Sequence, residues 1–323
     1  MREELLAEIE EEYAFQRKKN EQEEAVRREN IRARFPAIEE VVEERENLVF
    51  STIRGILGGN AGKTDDPSFR MDELNGKILT MLAENGFSAN YLEPVYRCVK
   101  CKDTGYTGDI VREPCECMKK SYQEKLRKLI GLDRNQEETF SSYDESMIPE
   151  EAVTGSGITQ RQLTRIAKEQ CEKWANAYPA VEHRDILITG GSGLGKTFLM
   201  RSMASRLIDR GQNVLLISAY TFLQMARKSY FDSEDGVGEL MQVPVLMLDD
   251  LGSEPLMQNI TVEQLFFLIN ERQSRNLSTI ISTNLTLQEL RERYTERIAS
   301  RLNNPKNCII LTLAGRDLRK IER

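Results

Sequence analysis

The 323-residue sequence has no run of apolar residues approaching the roughly 18 that a membrane-spanning helix needs. Its first residues, MREELLAEIEEEY, are acidic rather than apolar, so no secretory leader is expected. It has a single histidine, His183, just ahead of an apolar run, where a structural role is expected. There is no internal repeat, which excludes a solenoid. Six cysteines with no leader point to a reducing cytoplasm, where clustered thiols more often hold metal than form disulfides. Membrane protein, secreted disulfide scaffold and collagen-like fibre are thereby excluded, and the expected location is cytoplasmic.

What is present is charge. Charged residues make up 30 % of the chain and hydrophobic residues 40 %, with a formal net charge of −7, as in a soluble globular protein. The charge is uneven. Residues 1–150 hold 23 basic and 32 acidic side chains, residues 151–323 hold 22 and 20, and the stretch from Arg291 onward holds nine and four. Such a chain cannot coat nucleic acid with its whole surface, so any phosphate contact must use a local basic patch.

The patterning divides the chain. Residues 1–90 are dense in Glu, Arg and Lys, with Leu5, Ile9, Tyr13, Ile38, Val41 and Val42 at helical intervals and a break near Pro36. A second helix is expected over Met71–Asn85, after the breakers Gly58-Gly59-Asn60-Ala61-Gly62. Residues 91–135 hold a cysteine cluster and a helix over Lys119–Ile130. Residues 136–159, with Ser141-Ser142, Pro149 and two glycines, read as a linker. From 160 to 323, helices alternate with short apolar runs at Ile186–Thr189, Val214–Ile217, Val245–Leu248, Thr279–Ser282 and Ile309–Leu311. That pattern predicts an α/β domain with a buried parallel sheet.

Gly190, Gly191, Ser192, Gly193, Leu194, Gly195, Lys196 and Thr197 match G-x-x-x-x-G-K-[ST] between a predicted strand and a predicted helix. Glycines let backbone N–H groups cradle phosphate oxygens at the positive end of a helix. Lys196 is expected at the β- and γ-phosphates of ATP, and the Thr197 hydroxyl on Mg²⁺. Asp249 and Asp250 end an apolar strand, at the edge where open α/β sheets bind ligands. Asp249 is expected to share the Mg²⁺, and Asp250 to polarise the attacking water. Asn284, at the tip of the next strand, suits a γ-phosphate sensor, although Asn284 or Thr286 could equally cap a helix.

Cys98-Val99-Lys100-Cys101 and Cys115-Glu116-Cys117 bracket the loop containing Asp103-Thr104-Gly105-Tyr106-Thr107-Gly108. Two close thiol pairs without a neighbouring histidine suit a structural Zn²⁺ with four sulfur ligands. Cys171 and Cys308 fall on a predicted helix and strand and read as buried small hydrophobes.

In combination these segments resemble the AAA+ ATPases, with wording similar to the DnaC/DnaI helicase-loader branch and to its IstB relatives. The resemblance runs over about residues 140–323. It rests on Gly190–Thr197, Leu248–Glu254, Ile281–Leu285, Glu296–Leu302 and Gly315–Arg319. It implies an arginine finger at Arg301, given in trans to a neighbouring subunit, with Arg297 as the fallback. It also implies a second sensor at Arg319, with Arg316 less favoured. Most AAA+ members carry Glu where this chain has Asp250, which implies slow, switch-like hydrolysis.

The resemblance further implies a loader of the hexameric replicative helicase onto single-stranded DNA, with residues 1–90 as the helicase-docking arm and self-association through Arg301. In loaders of this kind the helix after the second strand lines the DNA path. Here Tyr220, Phe222, Arg227, Lys228 and Tyr230 are the candidates, with Phe222 and Met225 alternatively core. The competing expectations are an IstB-like transposition helper, which such a cysteine module disfavours, and a small-molecule P-loop kinase, against which stands the lack of an obvious lid.

Overall fold

The structure, a computed structural model, describes residues 2–57, 67–108, 110–132, 138–153, 157–231, 237–257 and 260–320. The breakers at Gly58–Gly62 and the start of the expected linker at Gln136 lie outside the described residues. The chain divides into two compact units, Leu6–Met118 and the remainder, Met1–Leu5 with Lys119–Arg323.

In the first unit, α1 (Arg2–Arg34) and α2 (Pro36–Leu57) are separated by Phe35 alone. Proline opens α2 because the first helical position needs no N–H donor and its φ is already helical. α3 (Pro67–Glu84) packs on α2. Ile31, Ile38, Val42, Ile78 and Leu82 are buried together, with Phe35, Phe87 and Tyr91 around them. Beside this core the buried Glu39 accepts from both Arg28 and Arg32 through one oxygen, Oε1, so its charge is paired next to the apolar stripe. A two-residue hairpin, β1 (Tyr106–Thr107) with β2 (Glu113–Pro114), carries the cysteine segment into α4 (Glu116–Leu129).

The second unit begins along α4, where Arg127 pairs with Asp209 and Tyr122 donates to Asn213. Its elements follow in order: α5 (Gln160–Ala177), β3 (Asp185–Thr189), α6 (Lys196–Asp209), β4 (Val214–Ser218), α7 (Ala219–Phe231), β5 (Val245–Leu251), α8 (Thr261–Ser274), β6 (Ser278–Thr283), α9 (Leu287–Tyr294), α10 (Glu296–Leu302) and β7 (Cys308–Thr312). The five strands are all parallel, in the order β4-β5-β6-β3-β7. Every residue of β3 and β6 is buried, as expected for central strands covered on both faces.

β5 runs three residues past the expected Leu248 end, because Asp249 still pairs with Ser218 of β4. Arg272 of α8 is fully buried; it donates to Thr279 Oγ1 and to the carbonyls of Leu240, Val243 and Ser278, pinning α8 to the sheet. No helix among the described residues is long and apolar enough to cross a membrane.

Candidate functional site

The C-terminal ends of β3, β5 and β6 meet at one cavity. β3 delivers the chain to Gly190, and α6 opens at Lys196. Two loop glycines are required by their surroundings. Gly190 has φ 145°, and a Cβ there would lie 2.3 Å from the Leu313 carbonyl oxygen. A Cβ at Gly193 (φ 75°) would collide with the Asp317 carboxylate. The loop backbone is thus packed closely against its neighbours in a conformation that suits glycine.

Lys196 is 7 % exposed, and its ammonium donates to the carbonyls of Gly190 and Gly191, both at 2.7 Å, and to Asn284 Oδ1 at 2.6 Å. Burial lowers its pKa, opposed by the carboxylates of Asp250 and Asp249. The Thr197 hydroxyl donates to Asp249 Oδ2 at 3.0 Å. Asn284 Nδ2 donates to Asp250 Oδ1 at 2.6 Å. The structure therefore brings Lys196, Thr197, Asp249, Asp250 and Asn284 around one cavity of about 440 Å³, with Ser192 and Arg319 on its wall. Asn284 is not a helix cap; Thr286 takes that role, its side chain accepting from Glu289 N in a capping box.

Arg319 donates to the Ser192 hydroxyl at 2.8 Å and to Asp317, whose carboxylate it holds below the usual range. Arg316 turns away to pair with Glu151 at 3.0 Å. Its backbone is gripped by the buried Gln160, whose amide donates to Arg316 O and accepts from Arg316 N, both at 2.9 Å. Arg301 does not line this cavity. It stacks over the Phe266 ring at 4.5 Å, beside Arg297 at 4.9 Å, and donates to Asn270 Oδ1 at 3.0 Å.

Sequence reasoning missed the apolar side of the site. A second cavity of about 740 Å³ shares Leu194, Gly195, Leu318 and Arg319 with the first and is walled by Tyr143, Met147, Ile148, Thr164 and Phe198. Tyr143, Met147 and Ile148 come from the segment read as a linker. Their apolar character among Ser, Asp and Glu was the available signal. The Tyr143 hydroxyl is buried without a hydrogen-bond partner, and burial pushes it up to about 12.

On α7 the structure decides between the two expectations for Phe222 in favour of the core: it is 1 % exposed and packs in the buried apolar cluster, so it is not free to stack on a base. Tyr220 is 53 % exposed, and Arg227 and Lys228 are exposed. The Tyr230 side chain lies outside the described residues. His183 offers its carbonyl to Trp174 Nε1 at 2.8 Å, and Cys171 and Cys308 are buried.

In the first unit, Cys98, Cys101, Cys115 and Cys117 converge with all four Sγ atoms within 4.8 Å of one another. Cys98 and Cys115 are 3.9 Å apart and Cys101 and Cys117 are 3.5 Å apart. Tetrahedral Zn–S bonds of about 2.3 Å require sulfurs roughly 3.8 Å apart, so the donor set fits that metal. Asp103 organises the loop and was not singled out from the sequence. Buried, with φ 56°, it accepts from the backbone N–H groups of Arg97 and Cys98 and from Asn20 Nδ2.

The family model described as "IstB-like ATP binding protein" matches residues 131–302, just over half of the chain. The replicative helicase loader DnaI of Bacillus subtilis (strain 168) is 27 % identical over 114 residues, 35 % of this chain and 37 % of that protein. The uncharacterized protein YdaV of Escherichia coli (strain K12) is 28 % identical over 117 residues, 35 % of this chain and 47 % of its own length. The chain thus spans less than half the length of these relatives. A crystal structure of the DnaC helicase loader superimposes with a TM-score of 0.45 at 21 % identity, covering 56 % of this chain and 99 % of that one. With its phosphate loop opening α6 and paired acids ending β5, the chain belongs to the family of IstB-like ATP-binding proteins.

Proposed function

We propose that the chain is an ATPase that loads a hexameric replicative helicase onto single-stranded DNA. The observation that carries the ATPase reading is the convergence of Lys196, Thr197, Asp249, Asp250 and Asn284 on one cavity. Lys196 would bind the β- and γ-phosphates, exchanging its carbonyl partners for phosphate oxygens. Thr197 and Asp249, already in contact, would hold Mg²⁺, which when bound neutralises charge on the phosphates. Asp250, oriented by Asn284, would accept the proton of the attacking water. The carboxylate is one methylene shorter than glutamate, in keeping with slow turnover and a switch-like role. The cavity walled by Tyr143, Ile148, Phe198 and Leu318 has the size and apolar character to take the adenine ring.

Arg319 would reach the γ-phosphate from the same subunit. Arg301, held away from its own chain's cavity on Phe266, would serve a neighbouring subunit's ATP. The similarity to DnaI supports the loader reading, with the helical arm of residues 1–90 as the helicase-docking element and Zn²⁺ on the four thiolates as its structural metal. Tyr220, Arg227 and Lys228 would meet the DNA strand. A second reading, a transposition helper, rests on the likeness to IstB proteins in the matching family.

The test is to mix the full chain with its own organism's replicative helicase, with and without ATP, and measure complex mass by light scattering. A stable assembly that responds to ATP in the wild type, and not in Lys196→Ala, is expected. No association under any nucleotide condition would overturn the loader reading and make a transposase the next partner to test.

A further inference from the structure

The two acids at the end of β5 are adjacent in sequence yet must do different work, and one side chain on the neighbouring strand touches both. The register between β5 and β6 pairs Leu248 with Ile281 and then Leu251 with Thr283, so three steps on β5 face two on β6. The extra residue makes a bulge, a device that re-aims side chains beside active sites. Asp250 lies in it with φ 59°, a left-handed conformation that non-glycine residues rarely adopt.

Ser282 of β6, 1 % exposed, meets this bulge from the side. Its hydroxyl oxygen accepts from the backbone N–H of Asp250 at 2.8 Å, and its proton goes to Asp249 Oδ1 at 2.5 Å. The other Asp249 oxygen receives the Thr197 hydroxyl at 3.0 Å. The side chain thus takes the amide that the interrupted ladder leaves over, and also fixes the rotation of the Asp249 carboxylate. Only a group that donates and accepts at once can do both; alanine does neither.

We propose that Ser282 is a positioning residue for ATP hydrolysis, holding the β5 bulge so that Asp249 faces Thr197 while Asp250 faces Asn284. The inference rests on the ATPase reading above. A misplacement of about 1 Å in such groups costs turnover by up to about 100-fold without removing the binding contacts.

The experiment measures nucleotide affinity, kcat and the Mg²⁺ concentration for half-maximal turnover in the wild type, Ser282→Ala, Ser282→Thr and Ser282→Val. Wild-type turnover is measured first; its absence overturns the parent reading, and this inference with it, before any substitution is tested. Ser282→Ala is expected to lower kcat at least about tenfold and raise the Mg²⁺ requirement, with ATP affinity within about threefold of wild type. Ser282→Thr, which keeps the hydroxyl, is expected to recover to within about threefold. Ser282→Val has the shape of threonine without the hydroxyl and is expected to stay with alanine, so any cost of the added methyl is common to both. Full kcat in Ser282→Ala, or equal kcat in the threonine and valine variants, overturns the proposal.

Discussion

Arg319 donates to the Ser192 hydroxyl at 2.8 Å, tying the segment after β7 to the middle of the phosphate loop. Asp317 holds the same guanidinium through Nε and Nη2, both at 3.0 Å, and sits against the Cβ-less face of Gly193. The arginine is therefore aimed before any nucleotide arrives. Arg319→Ala is expected to lower turnover by about 10- to 100-fold with a smaller loss of ATP affinity. Asp317→Asn, which keeps the shape and weakens the grip, is expected to fall between. Steady-state kinetics with a fluorescent-nucleotide titration would separate the two quantities.

Asp250 and Lys196 should split binding from chemistry. Asp250→Asn removes the proton acceptor and leaves the lysine and threonine contacts in place. Turnover is expected to drop about 100-fold or more with ATP affinity within about threefold of wild type. Lys196→Ala is expected to lose most nucleotide binding itself. Retention of full turnover by Asp250→Asn would remove that carboxylate from the mechanism.

The sheet and its phosphate edge were legible because central parallel strands leave continuous apolar runs and the loop glycines are a fixed pattern. Two of the flanking helices carry their own end signals: α5 opens in a capping box on Thr159, and α6 lies between Gly195 and Gly211. Two features were not legible. The bulge at Asp250 and the role of Ser282 depend on strand register, which one sequence does not print. The apolar cavity needs residues 143–148 folded back beside Phe198; the apolar residues in that segment signal burial but do not say against which element it returns.

The cysteines make a counting experiment. Cys171 and Cys308 are buried, and desolvation pushes both thiols up to about 12, so they stay protonated and unreactive at pH 8. The four clustered thiols would be masked by Zn²⁺. The native chain is therefore expected to show almost no alkylation by mass spectrometry. Chelation should release four reactive thiols and one zinc per chain, and denaturation the remaining two. Six reactive thiols after chelation alone would mean that the metal also supports the second unit.

Arg227 and Lys228 are exposed on α7, each about two turns from Tyr220 along the same helix. If they meet phosphates, the log–log salt slope of single-strand binding should fall by about 1.4 in Arg227→Ala/Lys228→Ala, about 0.7 per lost contact. Tyr220→Ala should weaken binding with little change of slope, since stacking releases no counterions. An unchanged slope in the double variant would move the DNA path elsewhere.

The position of Arg301 argues for a finger that works between subunits. Its guanidinium lies on Phe266 and Asn270, both on α8, and not on the cavity that holds Lys196. Arg301→Ala should therefore keep full ATP affinity while turnover falls by about 1,000-fold. Lys196→Ala should fail for the opposite reason, with an intact finger and an impaired pocket. Each variant alone is expected to turn over little ATP, yet mixing them pairs a good pocket on one with a good finger on the other. Turnover is expected to reappear on mixing and to rise with total protein concentration, as a bimolecular assembly requires. A finger acting within its own chain would leave the mixture as inactive as its parts.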